Sequence, residues 1–164
     1  MKPIIVADTS PLIALAKLRQ LELLPAIFAA IHLPQKVLDE ATCHLQRTDA
    51  CLIRDFAHEH FTLHPDADND FCVKLRQTLD EGEVQALHLA KKLACGVLMD
   101  ELSGRRVAQS YLIPVVGVLG VLLKARQSGV IASLSPLIAK LQQEDYRLSA
   151  SLIHKVLQTA GETA

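Results

Sequence analysis

The sequence predicts an α/β fold: a central, mostly parallel sheet of four or five strands with helices on both sides. Three observations predict it. Short apolar runs alternate with helical segments of about 10 to 15 residues, which is the pattern of βαβ units. Two of those runs, Ile4-Ile5-Val6-Ala7 and Val97-Leu98-Met99, are continuously apolar, as strands buried on both faces are, and each stops at an acid. Half of the residues are hydrophobic and only 4% are aromatic, so Leu, Val, Ile and Ala must build the interior.

The first run is closed by Asp8-Thr9-Ser10-Pro11, where Ser10 can N-cap a helix that has Pro11 at its first position and buries Leu12, Leu15, Ala16 and Leu18. A short helix is expected over 21–28 and a strand over Ile31-His32-Leu33. Pro34 then opens a helix through Val37, Leu38, Ala41 and Leu45. A helix near 50–57 leads to a short strand over 61–63 and a polar turn over 65–70. Helices over 70–79 and 81–94 precede Gly96, which opens the strand that ends in Asp100-Glu101. A helix over 103–110, a strand over 114–116 and a helix over 118–128 follow. The last is stopped by Gly129 and carries Lys124 and Arg126 in its final turn. Helices over 136–143 and 150–160 close a single domain over 1–164, in which about 130–164 form a helical C-terminal extension.

Seventeen basic and eighteen acidic residues leave a formal charge of −1, too little for a broad field that grips long duplex nucleic acid. A nucleic-acid partner must be met locally. Cys43, Cys51, Cys72 and Cys95 show no CxxC spacing and read as reduced core thiols. The N-terminus is acidic too early for a secretory signal, and the apolar stretch 115–123 is far shorter than the ~20 residues of a membrane span, so a cytoplasmic protein without membrane contact is expected.

Ligands of an open parallel sheet bind beyond the carboxyl ends of its strands, where the strand order reverses. Asp8 and Asp100 each stand at such an end, and Glu40 and Glu83 lie on helices that can bring them to the same rim. Gathered carboxylates raise one another's pKa unless a cation sits among them, and a hard cation such as magnesium or manganese suits oxygen ligands better than zinc does. Each acid also has a plainer reading. Asp80 and Glu83 have capping-box spacing, Glu40 fits a solvated helix face, and Asp100 and Glu101 can pair with Arg105 or Arg106. Arg105 itself can hold a substrate phosphate or balance those acids. The His and Cys residues over 43–64 match no zinc spacing.

At these residues the chain resembles a known family. Asp8-Thr9-Ser10-Pro11-Leu12-Ile13 resembles the opening motif of PIN-domain ribonucleases, and 33–40, ending in Glu40, is similar to their second motif. Asp80-Glu81-Gly82-Glu83, Leu98-Met99-Asp100-Glu101 with Gly104-Arg105-Arg106, and the run 116–123 resemble a prokaryotic PIN subgroup related to toxin endonucleases of toxin–antitoxin pairs. The resemblance implies a PIN-like three-layer α/β/α sandwich and a metal-dependent endoribonuclease that uses Mg2+ or Mn2+ to hydrolyse RNA. It also implies an antitoxin partner for a toxin role, and homo-oligomers.

Carried over by position, Asp8, Glu40 and Glu83 are the metal-site and catalytic acids and Ser10 is a hydroxyl beside them. Met99 stands where other branches have a threonine, which leaves Asp100 or Glu101 as the fourth acid. The competing expectations are a catalytically silent PIN-fold module that binds RNA or protein, and a phosphatase with Asp8 as nucleophile. Ser10 departs from the DxD pattern that a phosphatase needs.

Overall fold

The computed structural model describes residues 1–162. Five strands form its centre: β1 (Ile4–Ala7), β2 (Ala30–Pro34), β3 (Phe61–His64), β4 (Gly96–Leu98) and β5 (Val115–Val116). They make one sheet in the order β3-β2-β1-β4-β5, and every pairing in it is parallel. Ile5, Val6 and Ala7 are all buried although successive side chains point to opposite faces, so helices cover both sides of the central strand.

The helices are α1 (Thr9–Lys17), α2 (Leu23–Ile27), α3 (Gln35–Thr42), α4 (Thr48–His60), α5 (Asp70–Leu75), α6 (Glu81–Leu93), α7 (Leu102–Ser110), α8 (Val118–Gln127), α9 (Ser135–Gln143) and α10 (Ala150–Thr159). α6 lies across β1, β2 and β4, while α1 packs with α3, α4 and α8.

Several local expectations shift. Pro34 does not begin the second long helix; it ends β2 with extended backbone and stands at the N-cap of α3. That helix stops at Thr42, short of Leu45, which is exposed and has no apolar partner to hold it in a further turn. α4 is longer than its apolar spacing suggests and passes directly into β3. The helix expected over 70–79 is α5 followed by turns, and Asn69 caps it by accepting the N–H of Cys72. The cysteines are not all core thiols, since Cys72 is buried but Cys43 is exposed.

The C-terminal helices are part of the core. Leu134, Ile138, Leu141 and Val156 join the same apolar cluster as the sheet residues. Glu162 closes this segment by accepting from the N–H groups of Leu134 and Ser135 and from the Ser133 hydroxyl, which holds its carboxyl at about 2. Among the described residues no helix is long and apolar enough to cross a membrane.

Candidate active site

The strand order reverses between β1 and β4: from β1 the chain steps outward through β2 and β3, then returns to place β4 and β5 on the other side. Such a reversal opens a crevice at the carboxyl ends of the two strands. The N–H of Asp8 donates to the carbonyl of Leu98 at 2.9 Å, so the residue after β1 is tied to the end of β4. At this point lies a cleft of about 480 Å3 lined by five acids, Asp8, Glu40, Asp80, Glu83 and Glu101, with the hydroxyl residues Thr9, Ser10 and Ser103.

Asp8, not Ser10, occupies the N-cap position of α1, and its side chain makes no capping hydrogen bond. Ser10 was the expected cap because Pro11 would follow it at the first helical position, but extended backbone at Asp8 starts the helix two residues earlier and leaves Ser10 inside it, facing the cleft. Asp8 is 5% exposed. Burial pushes its pKa up to about 7, the backbone N–H of Thr9 pulls it back, and Glu83, Asp80 and Glu40 push it further up. Glu101 is likewise the N-cap residue of α7 without a side-chain cap.

Glu40 projects from α3 and accepts the Thr9 hydroxyl at 3.2 Å, with Lys36 at 3.8 Å on the same side. Its pKa is raised, first by burial and then by Asp80. Glu83 is in the capping box that the spacing suggested: the Asp80 carboxylate accepts the Glu83 N–H at 2.9 Å, and the Glu83 carboxylate accepts the Asp80 N–H at 3.1 Å. The capping box leaves Glu83 at the cleft wall, where burial and the nearby acids raise its pKa.

Asp100 and Arg105 do not line the cleft. The carboxylate of Asp100, expected beside a metal, accepts the N–H of Val118 at 3.2 Å and the hydroxyl of Tyr146, which itself feels the charges of Asp8 and Glu101. Burial raises its pKa and those two bonds oppose the rise. Arg105, expected at a substrate phosphate, donates from Nη1 to the carbonyl of Met99 at 2.9 Å and lies beside Asp100. Gly117 makes room for this pair, since a Cβ there would strike Asp100 and reach 3.0 Å from Arg105 Nη1. Of the two neighbours, Glu101 faces the cleft.

A family model described as a PIN domain matches residues 4–162. This chain belongs to the PIN-domain family. PIN domains are generally nucleases, and the five-stranded parallel sheet between helices is consistent with their fold. No curated protein matches the chain.

PIN nucleases typically use divalent metals, and the donors of this PIN domain suit one in kind: carboxylates and hydroxyls are hard oxygen ligands. Among the described residues, however, no three Asp, Glu, His or Cys side chains converge closely enough to hold an ion. The hydrogen bonds above explain the spread. The Glu83 carboxylate accepts the Asp80 N–H and the Glu40 carboxylate the Thr9 hydroxyl, so each is held by a partner of its own.

Thr9, Asp80 and Ser103 were not among the residues expected at the site of this PIN domain. Asp80 was visible only as the first half of a capping box, and its second role comes from α6 starting at the crevice. Gly82 acts on the site without lining it: a Cβ at this position would lie 2.5 Å from Glu40 Oε2. Gly82→Ala is therefore expected to displace the Glu40 carboxylate and lower activity by about tenfold or more, with the melting temperature nearly unchanged because α6 gains helix propensity. Cleavage assays with circular dichroism test it, and undiminished activity would mean that the position of Glu40 is immaterial.

Proposed function

We propose that this PIN domain is an endoribonuclease that depends on Mg2+ or Mn2+, with Asp8, Glu40, Glu83 and Glu101 as the acids that hold the cation. One observation carries the reading: a 5%-exposed Asp8, fixed to the end of β4, faces four further carboxylates. Burying an acid among like charges is costly, and a cation in the cleft removes that cost. A divalent cation, when bound, supplies a nucleophilic water at neutral pH and stabilises charge on the leaving oxygen.

The chain does the rest. Asp8, buried and tied by its N–H to Leu98, presents a fixed ligand that costs little to organise, and Glu101 reaches the same cleft from the exposed start of α7. Ser10 and Ser103 put hydroxyls at the same cleft, within the first turns of α1 and α7, where backbone N–H groups favour phosphate oxygens. Asp80 keeps Glu83 at the wall.

The test is purified protein with single-stranded RNA in the presence of magnesium, manganese or a chelator. Internal cleavage that needs the metal is expected. Titration calorimetry should show manganese binding that strengthens as pH rises through about 7 with release of protons, because Asp8 must lose its proton to act as a ligand.

A second reading, a PIN-fold module that binds RNA or protein without catalysis, is favoured by the spread of the carboxylates and by Met99 in place of a threonine. Stoichiometric manganese binding together with cleavage removes it. A toxin role extends the first reading, and growth arrest on expression without a partner protein is its test.

A further inference from the structure

The acidic cleft presents a difficulty to any RNA substrate. Five carboxylates and no cation line it, and the chain as a whole carries a formal charge of −1. A bound divalent cation can take one phosphate there, so the rest of a strand must gain its binding energy from another part of the surface.

A second cleft, of about 540 Å3, lies between the end of α1, the start of α4 and the end of α9. Lys17, Arg19, Arg47 and Lys140 line it together with Asp49 and Glu144. Asp49 is already engaged, since its carboxylate accepts from Arg47 Nε at 3.2 Å and Nη2 at 3.3 Å. Among the described residues Lys17, Arg19 and Lys140 have no carboxylate within ion-pair distance. Thr48 and Asp49 of α4's first turn also line it, and the N-cap residue of α4 makes no side-chain cap, so the positive end of that helix adds to the same field.

The two clefts share no lining residue, but α1 joins them. Its first residues, Thr9 and Ser10, are at the acids, and Lys17 is at the basic cleft, roughly 12 Å along the helix axis.

We infer that this basic cleft binds the phosphate backbone of the RNA strand, holding it while a neighbouring phosphodiester lies at the acids. The inference rests on the nuclease reading for the identity of the strand, but the measurement of it does not. Each cation set against a backbone phosphate releases counterions, so binding here carries a salt dependence that the acidic cleft cannot supply.

The experiment uses the full chain carrying Asp8→Asn, which keeps RNA intact, and a labelled single-stranded RNA of about twelve nucleotides. Affinity is measured from about 50 to 200 mM salt. Adding Lys17→Gln, Arg19→Gln and Lys140→Gln together is expected to weaken binding at least tenfold at low salt and to flatten the slope of log affinity against log salt by about 2, at about 0.7 for each phosphate contact. Where the triple variant proves unstable, Arg19→Gln alone changes an exposed side chain and should flatten the slope by about 0.7.

Unchanged affinity and slope would overturn the inference. So would loss of poly-glutamate binding with RNA binding intact, which marks a site for an acidic protein. Failure of the nuclease reading shows separately, as absence of metal-dependent cleavage by the unmodified chain.

Discussion

Asp8→Asn is expected to reduce RNA cleavage by at least about 10²-fold and, at the same time, to stabilise the metal-free protein. The two effects have one origin. Asp8 is buried and its carboxyl is pushed up to about 7, against an ordinary value of 3.8, so the folded protein holds a proton there that the unfolded chain releases at lower pH. A raised acid stabilises the fold fully below 3.8, and that contribution is lost as pH rises to about 7. Above that pH the charged carboxylate costs on the order of 2 to 4 kcal/mol, and a neutral amide of the same shape avoids most of it.

The variant should therefore melt several degrees higher than the unmodified chain at pH 8 and nearly equal to it at pH 4. Manganese should raise the melting temperature of the unmodified chain at pH 8 and leave the variant unmoved. Scanning calorimetry at the two pH values, with and without manganese, decides the matter. A variant that cleaves normally, or one destabilised at pH 8, would show that Asp8 is an ordinary structural residue.

The second large effect separates two neighbours. Asp100→Ala is expected to cost about 2 to 4 kcal/mol of stability, because it strands the Val118 N–H at the start of α8 and the Tyr146 hydroxyl, and leaves Arg105 beside a gap. Asp100 joins the end of β4 to α8 and to the turn after α9, so part of the C-terminal packing loosens with it. Glu101→Gln is expected to do the reverse: stability changes by less than about 0.5 kcal/mol, since the side chain is exposed, and cleavage falls about tenfold or more. Urea denaturation and cleavage rates measured on both variants give the comparison. If Asp100→Ala stays stable and loses cleavage, the roles of the two acids are exchanged.

Much of the fold could be read along the chain because its signals are local. β1 and β4 are continuous apolar runs whose Val6, Val97 and Leu98 are wholly buried, and their strand length and the turn residues that bound them point to strands. The α6 capping box was legible at the spacing of Asp80 and Glu83. Less was legible where two local signals compete. At the start of α1, Asp8 and Ser10 are both good caps, and the backbone of Asp8, bonded to Leu98 of a distant strand, decides for the aspartate. At Leu45 the apolar spacing continued a helix that tertiary contacts do not support.

The site divides along the same line. By itself the sequence placed an acid beyond the carboxyl end of each of the two central strands, directly after β1 and, because β4 stops at Leu98 and not at Met99 as its apolar run suggested, one residue further on after β4. Which acids share the cleft was decided only by the tertiary structure. Asp100 and Glu101 are adjacent and chemically alike, but their side chains leave the chain in different directions, and the partners that claim Asp100, Val118 and Tyr146, lie 18 and 46 residues further on. Asp80 enters the cleft, and Arg105 turns from it, for the same reason: orientation at a strand end is set by what packs behind it, and sequence spacing carries no information about that.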